Sequence, residues 1–260
     1  MNVALQTNCW ERDWRRILKT DRLATLAARH DGTFATKTLL INRLDHYTEP
    51  ARLAQRAIER GWLTDFVIVE EHADATLEFF ELSREILGRA YNYSIAELVG
   101  LYLCRTEFLL YYMGDCIPER SSPWLGKALA LFASDPRIKV ANLTWDGKYA
   151  EARSEAASDT EDFYIGSGFS DQCCLVRTAD LRQPHYWHTH LASARFPLYA
   201  GESFEKRVDA WMQCHGYLRA TYKHASYLHQ NVPPPIPQRL TRAAGRLVRS
   251  LCAKLKGGDQ

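Results

Sequence analysis

The chain has 260 residues, 46% of them hydrophobic and 25% charged, with a formal net charge of +2. Such usage fits an ordinary globular protein with a sizeable core, as one large domain or two small ones. The opening NVALQTNCWERDW is too polar for a signal peptide, and no stretch reaches the length of a spanning helix. The seven cysteines, among them adjacent Cys173 and Cys174, match neither zinc nor disulfide spacing. They read as free thiols behaving as small hydrophobes in a reducing, cytoplasmic compartment. Charge is uneven: residues 239–260 carry six basic and one acidic side chains, +5, while the rest carries 27 basic and 30 acidic, −3. A mildly acidic body argues against nucleic-acid binding.

In chain order, residues 3–6 read as a short apolar strand, followed by Thr7, Asn8 and a helix from about Trp10. Asn8 and Glu11 have capping-box spacing, and a strand feeding a helix amino end is a ready anion site. The simpler reading is a well-capped first helix. TKTLLI, residues 36–41, is a second strand ending at Asn42 and Arg43, and Thr48-Glu49-Pro50 opens a helix with proline in its first turn. DFVIV, residues 65–69, is a third strand, followed by Glu70, Glu71 and Asp74 and an acidic helix over about 75–87.

Residues 94–118, SIAELVGLYLCRTEFLLYYMGDCIP, form the centre of the pattern. Ser94 and Glu97 repeat the capping-box spacing. Phe108 to Met113 is an unbroken apolar run, as in a strand covered on both faces. Gly114 permits a turn, and Asp115 stands just past the carboxyl end, the edge where open α/β sheets bind ligands. Asp115 reads equally as the start of a turn. Beyond it, WLGKALALFA (124–133) predicts a helix and IKVANLTW (138–145) a strand. Residues 146–162 are polar and read as an exposed, mobile segment; residues 172–177 are another apolar strand. Residues 184–201 are irregular, with His185, His188 and His190 as H-x-x-H-x-H. A helix over 203–214 ends at Gly216, 218–229 carries a short strand, and VPPPIPQ (232–238) is a stiff linker. Strand and helix in alternation predict an α/β fold with a doubly wound, mostly parallel sheet.

The stretch ending at Asp115 resembles the segment of GT-A-fold glycosyltransferases in which a helix leads into a buried strand closed by an Asp-x-Asp motif. GFSDQCCLVRT (168–178) resembles their acceptor-side strand. YAGESFEKRVDAW (199–211) is similar to the loop and helix that carry the catalytic carboxylate of inverting members. His229 resembles the histidine that closes their metal site. The resemblance spans about residues 1–230, with the motifs in the family's order, and is of the bacterial cell-surface glycan type.

The resemblance implies a GT-A-like single domain: a Rossmann-like, mostly parallel sheet flanked by helices. Residues 1–118 would be the nucleotide-sugar-binding half and 119–231 the acceptor-binding and catalytic half. Residues 232–260 would follow as a Pro-rich linker and a basic amphipathic helix. It implies sugar transfer from a nucleotide-sugar donor to a glycan or lipid-linked acceptor, with inversion. Thr7, Asn8, Asn42, Arg43, Glu70, Glu71 and Asp115 would contact the donor. Asp115 and His229 would hold a divalent cation, Mn²⁺ or Mg²⁺, the histidine leaning towards Mn²⁺. Met113-Gly114-Asp115 departs from the motif by lacking its first acid, for which Glu70, Glu71 or Asp74 would substitute. A domain of this shape that binds a nucleotide or glycan without turnover is the alternative.

Transfer needs the leaving diphosphate neutralised, the acceptor hydroxyl deprotonated and the acceptor oriented. Without a metal, Arg43, Arg177 or Lys223 would serve the diphosphate. Glu202 is placed as the base by the resemblance, with Glu205 and Asp171 next; the two glutamates also read as first-turn acids favoured by the helix dipole. Tyr164, Trp187 and Tyr199 offer rings for sugar faces. Over 239–256, Leu240, Leu247, Leu251 and Leu255 share one helical face flanked by Arg239, Arg242, Arg246, Arg249, Lys254 and Lys256. That pattern predicts an interfacial helix on an anionic membrane, which would place the protein peripherally on the inner face.

Overall fold

The apolar runs of the first half become parallel strands in the computed structural model, which describes residues 2–230. The linker and the basic amphipathic helix expected over 232–260 lie outside the described residues. β1 (Val3–Cys9) is followed by α1 (Trp14–Leu18) and α2 (Arg22–Ala28), and β2 (Thr36–Ile41) by α3 (Thr48–Glu59). β3 (Asp65–Ile68), α4 (Ala73–Phe79), α5 (Arg84–Leu87) and α6 (Ile95–Leu103) lead to β4 (Phe108–Tyr112). Then come β5 (Cys116–Pro118), α7 (Trp124–Ser134), β6 (Ile138–Trp145), α8 (Tyr149–Ser154), β7 (Ala156–Asp159) and β8 (Phe163–Gly166). β9 (Cys173–Arg177), α9 (Thr178–Leu181), α10 (Phe204–His215) and β10 (Leu218–His229) complete the described chain.

All ten strands form one sheet in the order β3-β2-β1-β4-β9-β6-β10-β8-β7, with β5 against β10. β1, β2, β3 and β4 are mutually parallel, and β9 runs against both β4 and β6. β10 is parallel to β6, β8 runs against β10 and β7 against β8, so seven of the ten strands point one way. Alternation along β4 explains its unbroken apolar sequence. Leu109 and Tyr111 enter the core beneath α6 and α10, while Phe108, Leu110 and Tyr112 enter the core beneath α7. A fully buried leucine such as Leu110 contributes about 2 kcal/mol through its burial.

Several local expectations change. β1 runs on to Cys9, so Asn8 is a strand residue and cannot cap; the first helix starts at Trp14. Its side-chain oxygen instead accepts from the Gly114 amide at 2.8 Å. Ser94 precedes α6 but forms no cap. Its hydroxyl donates to the Ala90 carbonyl at 2.7 Å and accepts from the Phe204 amide at 2.8 Å, tying α10 to α6. Glu97 points into the core and accepts from the Tyr111 hydroxyl at 2.7 Å. The acidic helix over 75–87 breaks into α4 and α5 around Glu81, whose φ of 55° is left-handed. Residues 146–162 form α8 and β7, held where Glu155 meets buried Arg219 at 2.7 Å and Asp159 meets Lys223 at 2.6 Å. β10 is twelve residues long rather than short, because β6, β8 and β5 each pair with part of it. α10 has the predicted ends: the Ser203 hydroxyl accepts from the Lys206 amide, and Gly216 takes φ 64° as a left-handed cap.

Candidate functional site

Parallel strands bring their carboxyl ends to one edge, and the first half delivers its polar residues there. Thr7 and Asn8 lie at the end of β1, Asn42 and Arg43 after β2, Glu70 and Glu71 after β3, and Asp115 after β4. The Asn42 amide donates to the Cys9 carbonyl at 2.8 Å, and its buried side-chain oxygen has no partner among the described residues. Arg43 is left-handed at φ 52°, donates its amide to Glu70 at 2.8 Å and places its guanidinium 5.4 Å from the Trp10 ring. Of the candidates for the missing motif acid, Glu70 is thus engaged by Arg43, Asp74 pairs with Arg84 at 3.4 Å, and Glu71 is exposed.

Asp115 is placed by the turn after β4. An added Cβ at Gly114 would lie 2.3 Å from the Asn8 carbonyl oxygen and 3.1 Å from an Asp13 carboxylate oxygen, so only glycine fits there. Buried Arg22 clamps the same turn, donating to the Gly114 carbonyl at 3.0 Å, the Cys116 carbonyl at 2.9 Å and the Gln230 side chain at 3.0 Å. At the end of β10, His229 Nε2 lies 3.1 Å from Asp115 Oδ2. The carboxylate holds the imidazole pKa above its usual value. The His229 amide donates to Asp146 at 2.7 Å, and the Gln230 amide to the Asp115 carbonyl at 2.8 Å. Ligand atoms of Asp115, Cys116 and His229 lie within 4.8 Å of one another, among the described residues the one such group of three. Carboxylate and imidazole donors beside a buried thiol fit a divalent cation.

Sequence reasoning missed Asp13 and Arg22. Asp13 is 2% exposed, accepts from the Trp10 amide at 2.7 Å and faces Gly114. Burial, with a smaller push from Asp115, raises its pKa to about 7. The available signal was an acid three residues after Trp10, where the first helix was expected to begin; only tertiary packing shows which way it turns.

The second half brings another acidic group to the same edge. β9 runs against β4, Cys173 opposite Tyr112, and the Met113 amide donates to the Gln172 carbonyl at 3.1 Å. Asp171 therefore stands beside the Met113–Asp115 turn. Burial first and Glu205 second raise the Asp171 pKa far above the ordinary carboxylate range. Glu205, in the first turn of α10, lies beside Ser170 and Asp171, and burial lifts its pKa to about 7. Glu202 is placed apart: it precedes the helix, is exposed, and pairs with Lys206 at 2.5 Å. The structure thus joins Asp171 and Glu205 and leaves Glu202 on the surface.

The remaining candidates scatter. Arg177 pairs with Glu107 at the opposite end of β9, at 3.2 Å, and Lys223 pairs with Asp159, so Arg43 alone of the three cations lies at the strand-end edge. Tyr164 lies 4.9 Å beneath Lys223, whereas Trp187 and Tyr199 are 49% and 69% exposed. His185 stacks on Trp211 at 4.4 Å, His188 bonds the His185 carbonyl, and His190 accepts from the Ala192 amide. The three form no metal cluster. The segment is fixed by fully buried Asp209, which accepts from Ser193, Arg195 and the Phe169 amide. The six described cysteines are free thiols.

No protein-family model matches the chain, and no curated protein does. Solved structures do. GalNAc-T7 with UDP, GalNAc and Mn²⁺ is 12% identical with a TM-score of 0.55, over 88% of this chain and 44% of that one. The mannosyltransferase PcManGT from Pyrobaculum calidifontis, in complex with GDP-Man and Mn²⁺, is 14% identical with a TM-score of 0.52. That match covers 99% of this chain and 65% of PcManGT. S. aureus TarS 1-349 in complex with UDP is 12% identical with a TM-score of 0.50, over 89% and 61% of the two chains. This chain spans less than two thirds of the length of each. Its fold is GT-A-like, that of nucleotide-sugar glycosyltransferases.

Proposed function

We propose that the protein is a glycosyltransferase that moves a sugar from a nucleotide-sugar donor to a glycan or lipid-linked acceptor. The observation that carries this reading is the meeting, at one sheet edge, of two unlike acidic centres on a GT-A-like fold. One is Asp115 with His229; the other is Asp171 with Glu205. In this reading the ends of β1 to β3 receive the nucleotide, with Asn42 and the Arg43–Glu70 pair as polar contacts. Asp115 and His229 would hold Mn²⁺ or Mg²⁺, with Asp13 rather than Glu70, Glu71 or Asp74 supplying the acid that Met113 lacks. Bound there, the ion would neutralise charge on the departing diphosphate.

A base on the acceptor side must be able to take a proton near neutral pH. Glu205, lifted to about 7 beside a second carboxyl group, suits that task better than Glu202 in its ion pair. Attack by a deprotonated acceptor hydroxyl on the face opposite the diphosphate inverts the sugar carbon. Trp187 and Tyr199 offer rings to the acceptor. The setting proposed is cytoplasmic synthesis of a cell-surface polysaccharide or lipopolysaccharide. Residues 239–256 would hold the protein peripherally on the membrane; no helix among the described residues is long and apolar enough to cross one.

Met113 favours a second reading, a domain that binds a nucleotide or glycan without turnover. Thermal-shift titration with UDP, GDP, dTDP and CMP, with and without Mn²⁺, followed by hydrolysis assays on sugars of the nucleotide that binds, separates the two. Stabilisation by one nucleotide that grows with Mn²⁺, together with turnover, supports the enzyme. Binding without hydrolysis or transfer supports the module, and no binding of any nucleotide removes the enzyme and leaves only a glycan-binding module.

A further inference from the structure

A groove of about 270 Å³ lies between α1 and α3, away from both acidic centres. Its apolar lining is Leu18, Leu53, Ala57 and Trp62, and its charged lining is Lys19, Glu49, Arg52, Arg56 and Arg60. Glu49 is neutralised by Lys19 at 2.9 Å. The three arginines recur every fourth residue, so they form a row on one face of α3, about 6 Å apart along the axis. All three are exposed, and among the described residues none lies within ion-pair distance of a carboxylate. Arg60 lies 4.9 Å over the Trp62 ring, and on the facing helix Arg15 lies 4.2 Å over Trp14.

A row of unpaired guanidinium groups over an apolar floor, with the Trp62 indole in its lining, complements one chemistry: phosphate attached to hydrocarbon. We propose that the α1–α3 face docks on the anionic headgroups of a phospholipid bilayer, one headgroup seated in the groove and its neighbours on the arginine row. Arginine matches phosphate through paired N–H donors, and tryptophan favours the headgroup layer. The basic segment 239–256 is excluded as occupant by its like charge. α1 leaves the loop that carries Trp10 and Asp13, so this docking would hold the strand-end edge towards the bilayer. The inference does not depend on turnover.

The test is co-sedimentation of the full chain with phosphatidylcholine vesicles, with and without phosphatidylglycerol. Comparison is with an R52Q/R56Q/R60Q variant and with R105Q/R137Q/R153Q, equal in charge but on other elements. Each basic group at an anionic surface adds roughly a fivefold factor. We expect the first variant to partition about tenfold or more weakly, the second to match wild type, and salt to reduce the difference. The tail is present in all three proteins, so the comparison isolates the groove. Equal partition of wild type and the first variant overturns the proposal. Equal losses in both variants overturn it in favour of diffuse attraction. Release by millimolar glycerol phosphate or inorganic phosphate overturns it in favour of a site for small free anions.

Discussion

Asp115 and Glu205 lie on the same sheet edge in opposite company. Asp115 has an imidazole 3.1 Å away, and a buried arginine clamps its turn through backbone carbonyls, so a carboxylate and an imidazole are held together as donors. Glu205 shares its space with Asp171, and burial raises both pKa values. The first environment suits a cation and the second a proton. A sheet that merges a parallel half with a mixed half can provide both, because β9 reverses direction between β4 and β6 and begins where β4 ends.

Breaking each side should give different signatures, and the largest is at Asp115. Asp115→Asn should lower sugar transfer by about 100-fold or more, and abolish any Mn²⁺-dependent thermal shift while the protein stays folded. Unchanged turnover would detach the first centre from the reaction. Glu205→Gln should also cut transfer by about 100-fold, yet leave nucleotide binding and its Mn²⁺ effect intact. Glu202→Gln should change transfer less than about threefold, the scale of losing a surface ion pair. The reverse ranking of the two glutamates would move the base outside the helix.

Acidity sharpens the contrast. A base of pKa about 7 makes transfer rise as pH increases through neutrality, a limb that Glu205→Gln should remove. Stability should move the other way. The folded protein keeps the Glu205 proton to about pH 7, whereas the unfolded chain releases it near 4.5, so folding is progressively disfavoured as pH rises across that window. Glu205→Gln should therefore gain in melting temperature over wild type between pH 5 and 8. A constant difference across that range would contradict the buried-proton assignment.

Two smaller effects test the supports. Gly114→Ala should cost about 1–3 kcal/mol by denaturant melting, since its Cβ meets the Asn8 backbone rather than a yielding side chain. Ser203→Ala should cost about 0.5–1 kcal/mol, the loss of one amino-terminal cap of α10, and so shift Glu205 without unfolding the domain.

Legibility followed the range of the interactions. The limits of β2 and β6 and the start of α3 were readable because apolar runs and an opening proline act locally. The turn at Met113-Gly114-Asp115 was readable for the same reason. Ser94 and Glu97 misled because the spacing of a capping box says nothing of a phenol or an amide arriving from another element. The choice between Glu202 and Glu205 turned on three residues of helix phase: one precedes the cap and faces water, the other is rotated towards Ser170. Arg22 and Asp13 were silent, since their partners lie 92 or more residues away or depend on how the first loop folds.

The last described strand has a consequence for how the protein is made. Asp115 is joined to His229 across 114 positions, and Arg22 to Gln230 across 208. During translation the four parallel strands and the Met113-Gly114-Asp115 turn leave the ribosome with more than a hundred residues still to come. A nascent chain can form the Asp115 turn early, but the imidazole that meets it arrives only with residue 229. Completion of that pair therefore registers that synthesis has passed β10, and a chain stalled or cleaved before that strand carries the Asp115 edge without His229.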